Sequence, residues 1–433
     1  MQKVSFHRRI LPWVFVIVFL AIAPSVVFYT AGYRWNPKKG ALERNGTIII
    51  DTTPDGASIL LNGKLLDDQS PVTLQRTAPG TYEIRLELDG YHPWSKTLDV
   101  RPELVTFVNE VRLWPDVEPE LVAETRAALV AASPNGRTLS YASEGENGAS
   151  VSFFDLSSNK TDAFTFGSSS TAAELIRWSG ESSSVYIRCT DGSSWVVRRT
   201  GTDGPLELPA GSYRWEDGML IGSVDGGRYV YDAANGRVER EDLAYGVLDV
   251  NGSLRLMSST SSPRLALTDA SKPGRMYELP NGDWRFGPSY NGFIFLTSDD
   301  EWLGFDPDAD EPAALRIPVS GDTQYMKISG DSFILSRHLG EIWITDLEPG
   351  EPELAVRTSR EIKAAFWFRA GTDVFYATDN KVIALNLDPR DGRMETVLAE
   401  FDEIFDMALA NRVLYVAARR GEERGIFRLR VES

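Results

Sequence analysis

The sequence predicts an all-β protein behind a single N-terminal apolar helix. Three observations carry that reading. Residues 10–31 contain no charge, and residues 46–114 alternate apolar and polar side chains between turn dipeptides. From residue 116 onward, a pair of short strands recurs about every 40 residues with no convincing amphipathic helix between them.

Composition narrows the function classes. The chain has 433 residues, a net charge of −17, 42% hydrophobic residues, one cysteine and three histidines. That apolar content excludes wholesale disorder. The lone Cys189 rules out an intrachain disulfide, a CxxC redox pair and a cysteine-rich zinc site. His7, His92 and His338 are too few for a histidine-rich metal enzyme. The acidic balance argues against a nucleic-acid partner, because phosphate binding needs a basic surface. Neither GxSxG, HExxH nor a P-loop occurs, so no cofactor and no small-molecule substrate are expected.

The apolar run comes first in the chain. As a helix at about 1.5 Å per residue, residues 10–31 match the roughly 30 Å hydrocarbon core of a bilayer. Trp13 at one end and Tyr29, Tyr33 and Trp35 at the other suit the two interfacial belts. A cleaved signal peptide is the competing reading, through Ala21-Ile22-Ala23. Pro24 after that site and the continuation of the run through Phe28 favour an uncleaved anchor. Residues 1–45 carry a net +6 and the remainder −23, so a basic end precedes an acidic body. Lys3, Arg8 and Arg9 lie before the run and Arg34, Lys38 and Lys39 after it. A short basic tail before one span and a large domain places the body outside the cytoplasm. The expected organisation is a cytoplasmic tail and transmembrane anchor over 1–35, a linker over 36–45, a β-sandwich over 46–115 and a repeat domain over 116–433.

The sandwich is read from its turns and periods. Gly46-Thr47-Ile48-Ile49-Ile50-Asp51 opens it, and Ser58-Ile59-Leu60-Leu61 runs into Asn62-Gly63, the dipeptide that best accepts positive φ in a two-residue hairpin. After Pro79-Gly80, Tyr82, Ile84, Leu86 and Leu88 fall on one face and Glu83, Arg85, Glu87 and Asp89 on the other. Leu98 and Val100, then Phe107, Val111 and Leu113, supply two more strands, and a compact antiparallel sandwich is expected. Thr53-Pro54-Asp55-Gly56-Ala57, Leu61-Asn62-Gly63, Pro79-Gly80-Thr81-Tyr82 and Gly90-Tyr91-His92-Pro93-Trp94, in that order, resemble the PEGA domain of microbial envelope proteins. Asp55 stands where that family has its name-giving Glu. The resemblance implies surface or scaffold contacts and no catalysis. Pro54 and Gly56 are expected to serve the turn, and His92 to be a turn residue, not a metal ligand.

The repeats are read as propeller blades. The recurring strand begins near Thr138, Val185, Met219, Leu254, Phe293, Phe333, Val374 and Val413, each followed by a second strand. Eight blades are counted, with seven plus an irregular segment as the alternative. The last unit lacks a fourth strand, while Glu118-Pro119-Glu120-Leu121-Val122-Ala123 echoes Glu351-Pro352-Glu353-Leu354-Ala355-Val356. Residues 119–124 are therefore expected to complete the final blade and hide its edge. Ser133-Pro134-Asn135-Gly136-Arg137 is similar to the Ser-Pro-Asp-Gly-Lys turn of TolB-like and WD-repeat-like propellers, and Arg177-Trp178-Ser179-Gly180 echoes it.

Candidate chemistry is sparse. Asp306-Pro307-Asp308-Ala309-Asp310-Glu311 spaces carboxylates like a calcium loop but lacks the Gly at the sixth position and the distal Glu. Thr190-Asp191-Gly192-Ser193-Ser194-Trp195 is a short, misplaced version of a sialidase Asp-box. His338 is read as a solvated hairpin residue and Cys189 as an inert filler. Tryptophans 178, 215, 284, 302, 343 and 367 recur with the blades, so core packing is their expected role, although one or two could stack on a sugar. No catalytic or metal residue is assigned. The function read from the sequence is a single-pass, membrane-anchored cell-envelope scaffold that presents a propeller to a protein or glycan. The alternative is an extracytoplasmic lyase or glycan hydrolase with carboxylates at the central channel.

Overall fold

In the computed structural model, residues 6–432 are described except 31–32, 37–40, 146–147, 169–170, 201–203, 259–264, 273, 275, 291, 299–300, 307–314, 320–322, 329, 349 and 369–370. The chain divides into two compact units, residues 1–116 with 388–394, and residues 117–387 with 395–433.

The first unit begins with α1 (Phe6–Thr30). Its described bulky side chains, such as Trp13, Phe15, Phe19 and Phe28, are exposed. Among the described residues no helix is long and apolar enough to cross a membrane. The stretch read as a linker contributes to a two-stranded ladder, β1 (Tyr33–Asn36) against β2 (Ala41–Arg44), with Tyr33 opposite Arg44.

A sandwich follows. β3 (Gly46–Thr53), β6 (Val72–Thr77) and β9 (Val105–Arg112) form one sheet. β4 (Ser58–Leu61), β5 (Lys64–Gln69), β7 (Gly80–Glu87) and β8 (Trp94–Val100) form the other. Strand alternation places Ile48, Ile50, Ile59, Ile84, Leu86, Trp94 and Val108 in one shared core. Asn62 (φ 49°) and Gly63 (φ 74°) make the expected tight turn, with Leu61 paired to Lys64. The Asn62 side chain also accepts a hydrogen bond from the Glu83 amide at 2.9 Å, tying the turn to β7.

One expectation is corrected. The sandwich is not wholly antiparallel, because β3 and β9 run parallel. β9 arrives from β8 in the other sheet, and a crossover between sheets can return a strand in either direction. Alternation reports which face a side chain occupies, not which strand lies beside it.

The second unit is a β-propeller. Among the described residues it holds eight four-stranded antiparallel sheets. Their first strands are Leu129–Ala132, Ala173–Trp178, Tyr213–Glu216, Val247–Asn251, Arg285–Tyr290, Gln324–Ile328, Ala364–Trp367 and Glu403–Ala410. Seven sheets use four consecutive strands. The eighth takes its outer strand from the start of the unit, β10 (Glu120–Glu124), which pairs antiparallel with the last strand, Glu423–Arg430. Arg428 donates to Glu120 at 2.6 Å across this seam. At Gly425 the backbones approach so closely that a Cβ would lie 2.1 Å from the Ala123 carbonyl oxygen. Residues 120–124, within the 119–124 expected, thus supply the strand that the sequence echo implied.

Adjacent sheets are stapled by indoles. Trp178, Trp215 and Trp367 end or nearly end their first strands and donate Nε1–H to the carbonyls of Ala131, Arg177 and Gln324, at 3.2, 3.1 and 3.3 Å. Each acceptor belongs to the first strand of the preceding sheet, so these tryptophans bond between sheets as well as packing. The Trp284 indole instead donates to the Pro280 carbonyl at 2.9 Å.

Candidate functional site

The recurring motifs turn out to be structural. Ser133 accepts a hydrogen bond from the Thr138 amide at 3.0 Å, and Asn135 accepts one from the Arg137 amide at 3.0 Å, with Gly136 at φ 66°. Ser179 plays the same part for the amides of Ser183 and Ser184. Acidic residues at strand ends close turns. Asp155 accepts from the Ser157 and Ser158 amides, Asp232 from Ala234, Asp269 from Ser271 and Asp346 from Glu348. Serine hydroxyls, or backbone amides at Asp232, hold Asp155, Asp232 and Asp269 below the usual carboxylate range. Asp191 is also held low, by Ser193 first, so the Asp-box-like stretch is another such turn.

The other weighed residues are equally local. Burial pushes the Cys189 thiol up, away from the reactive thiolate. His338 does sit at a hairpin, paired with Glu341 at the end of the strand Asp331–His338, but it is half-buried rather than solvated, and its Nδ1 is enclosed without a hydrogen-bond partner. His92 lies 3.7 Å from the Asp116 carboxylate. Of the calcium-like stretch only Asp306 is described; 307–311 lie outside the described residues. Among the described residues no group of three His, Cys, Asp or Glu side chains could hold a metal ion.

Two polar centres escaped the sequence reading. The first is in the propeller. Arg188 from the second sheet and Arg285 from the fifth both donate to the Ser212 hydroxyl, which immediately precedes the third sheet. Arg188 also pairs with Glu174, and Arg285 with Asp283 at 2.7 Å. Two residues on, Arg214 is nearly enclosed and donates to the Asp249 carboxylate at 3.0 Å and to the Val250 carbonyl at 3.1 Å. Its guanidinium lies over Phe286, 5.7 Å from the ring centre. Ser223 completes the Asp249 shell at 2.7 Å. Asp249 sits at a slip in strand register between Val247 and Asp249, an irregularity that alternation cannot reveal.

Chemically, this centre offers forked donors. Guanidinium groups suit planar carboxylates, and Arg and Tyr are the side chains that most often anchor protein contacts. Tyr245, fully exposed, and Leu248, 44% exposed, flank the start of the strand that carries Asp249.

The second centre lies in the first unit. Lys96 occupies the core-facing side of β8 between Trp94 and Leu98, with a side chain only 2% exposed. Its ammonium donates to the carbonyls of Asp388, Arg390 and Gly392 at 2.6, 3.0 and 3.1 Å. The Asp391 carboxylate accepts from the Thr97 amide at 2.6 Å. Burial lowers the Lys96 pKa, and Asp388 opposes the shift. A lone lysine in an apolar alternation was the available signal.

Fold and sites together define a β-propeller protein with an N-terminal β-sandwich. Residues 45–112 match the PEGA domain family. No curated protein matches the chain. Among solved structures, it is similar to the C-terminal WD40 domain of Sif2, with 13% identity, 72% of this chain and 98% of that one covered, and a TM-score of 0.49. It is similar to a chain of a mitotic checkpoint complex, with 13% identity, 74% and 90% covered, and a TM-score of 0.42. It is also similar to the β-propeller domain of Cps50 (Swd1) from Myceliophteria thermophila, with 9% identity, 72% and 99% covered, and a TM-score of 0.43. These are likenesses of fold.

Proposed function

We propose that this chain is a membrane-anchored scaffold whose eight-bladed propeller docks a protein partner on the extracytoplasmic side of a cell envelope. The proposed organisation is a tail and anchor over 1–35, a connector over 36–45, the PEGA sandwich over 46–115 and the propeller over 116–433. The supporting observation is the sheet that joins the two ends of the second unit. A propeller sealed by β10 and the last strand is a rigid platform, and rigid platforms lower the ordering cost of binding. The uncharged run 10–31 supports the anchor. Arg188, Arg285 and Ser212, meeting from separate sheets, are the proposed docking point for a partner carboxylate.

The test has two arms. Alkaline carbonate should leave the full chain in the membrane pellet and release a variant lacking residues 10–31; release of both would refute the anchor. A photo-crosslinking amino acid at Tyr245 should capture a defined protein, and Arg188→Gln with Arg285→Gln should cut that capture about tenfold, as expected for lost charged hydrogen bonds. Capture unchanged by both substitutions would refute the docking point, and recovery of glycan alone would refute a protein partner.

A further inference from the structure

We propose that the first unit carries an oxyanion-binding site for a phosphate ester at the end of α1. The site lies outside the propeller and does not depend on what the propeller binds. A cavity of about 290 Å³ is lined by Arg44, Asn45, Gly46, Thr47, Gln75, Arg76 and Glu103. That volume suits a headgroup-sized ligand better than a drug-sized one.

The lining is built for an anion. Arg44 is held by Glu103 at 2.9 Å and by the Tyr33 ring, 4.9 Å from its guanidinium carbon. Arg76 is exposed, sits at φ 60° and has no ion-pair partner among the described residues. One of the two arginine charges is therefore left over after Glu103 is counted, in a protein of net charge −17. Both polar atoms of the Asn45 amide are shut from solvent with no hydrogen-bond partner. A turn of that side chain toward the cavity would give Nδ2 an acceptor in a bound oxyanion, relieving an unmet polar group. The backbone around the cavity leaves no slack. Thr47 donates to the Leu104 carbonyl and Glu103 to the Asn45 carbonyl, both at 3.1 Å. A Cβ at Gly46 would lie 2.6 Å from the Arg101 carbonyl oxygen.

Position suggests the source of the phosphate. The β1–β2 ladder turns the chain back so that Arg44 lies opposite Tyr33, and Tyr33 packs edge-on against Phe28 of α1, with ring centres 5.5 Å apart. If α1 is the anchor proposed above, the cavity sits at the depth of lipid headgroups. Free inorganic phosphate presents the same chemistry without the membrane.

The full chain, purified in a nonionic detergent, is titrated calorimetrically with inorganic phosphate and, separately, with dihexanoyl phosphatidylglycerol below its micelle concentration. Saturable binding of either probe is expected, with each competing against the other. Arg76→Gln should weaken it about tenfold or more, and Arg76→Lys should restore most of it, as for a charge-assisted contact. Tighter binding of the lipid than of phosphate by about tenfold assigns the site to headgroups; equal binding assigns it to free phosphate. Because Arg76 is exposed, both variants should melt like the parent chain. The phosphate arm stands even if carbonate extraction refutes the anchor. No saturable binding of either probe, or an Arg76→Gln chain that binds like the parent, would overturn the proposal.

Discussion

Lys96→Met is the substitution that isolates the buried ammonium of the first unit. Methionine keeps the stem within the core between Trp94 and Leu98 but removes the donor to three carbonyls. A hydrogen bond from a charged group contributes about 1.5–3 kcal/mol, and removing one partner of a buried charged pair costs about 3–5 kcal/mol. Methionine also escapes the desolvation that depresses the lysine pKa. The carbonyls lie on a loop that water can partly reach after the change. The net expectation is therefore a loss of about 2–4 kcal/mol. For a unit of this size that corresponds to a Tm drop of about 10 °C or more. Hydrogen exchange read by mass spectrometry should show faster exchange over 388–394 and at the Thr97 amide, which donates to Asp391. Exchange unchanged in both segments, with stability within about 0.5 kcal/mol of the parent, would refute the reasoning.

Three further outcomes follow from the propeller. Gly425→Ala should destabilise the second unit by about 1–3 kcal/mol in urea titration, because its Cβ would run into the Ala123 carbonyl oxygen. Trp367→Phe keeps most of the packing but leaves the Gln324 carbonyl without its indole donor, and should cost about 1–3 kcal/mol on the same assay. The turn carboxylates Asp155, Asp232 and Asp269 have folded pKa values below their unfolded ones. Their stabilisation is present above the unfolded value of about 3.9 and is lost as pH falls through the lowered folded values. Asp155→Asn with Asp269→Asn should therefore flatten the acid limb of a Tm-against-pH curve, with little change in its slope near neutrality.

The sandwich and the repeats were legible because period-two burial and turn dipeptides act locally. Ile48, Ile50, Ile84 and Leu86 declare their face, and Asn62-Gly63 declares its turn. The seam was legible for a different reason: the last repeat lacked a strand that the first segment could supply. Strand direction in the sandwich was not legible, since β3 and β9 would show the same alternation parallel or antiparallel. The arginine centre was hidden because Arg188, Ser212 and Arg285 are far apart in sequence and meet only through the ring. Lys96 was visible as an anomaly in β8, but its acceptors lie almost 300 residues away. The indole staples were half legible: recurrence marked the tryptophans for the core, while the carbonyls they bond belong to neighbouring sheets.

Closure of the propeller by its own ends is tested most directly by a cysteine pair at Glu120 and Arg428, which face each other across the seam. Mild oxidation of the full chain carrying Glu120→Cys and Arg428→Cys should give an intramolecular disulfide, a faster band on a nonreducing gel and a raised Tm. Thiols that remain free, or that link only between molecules, would contradict it.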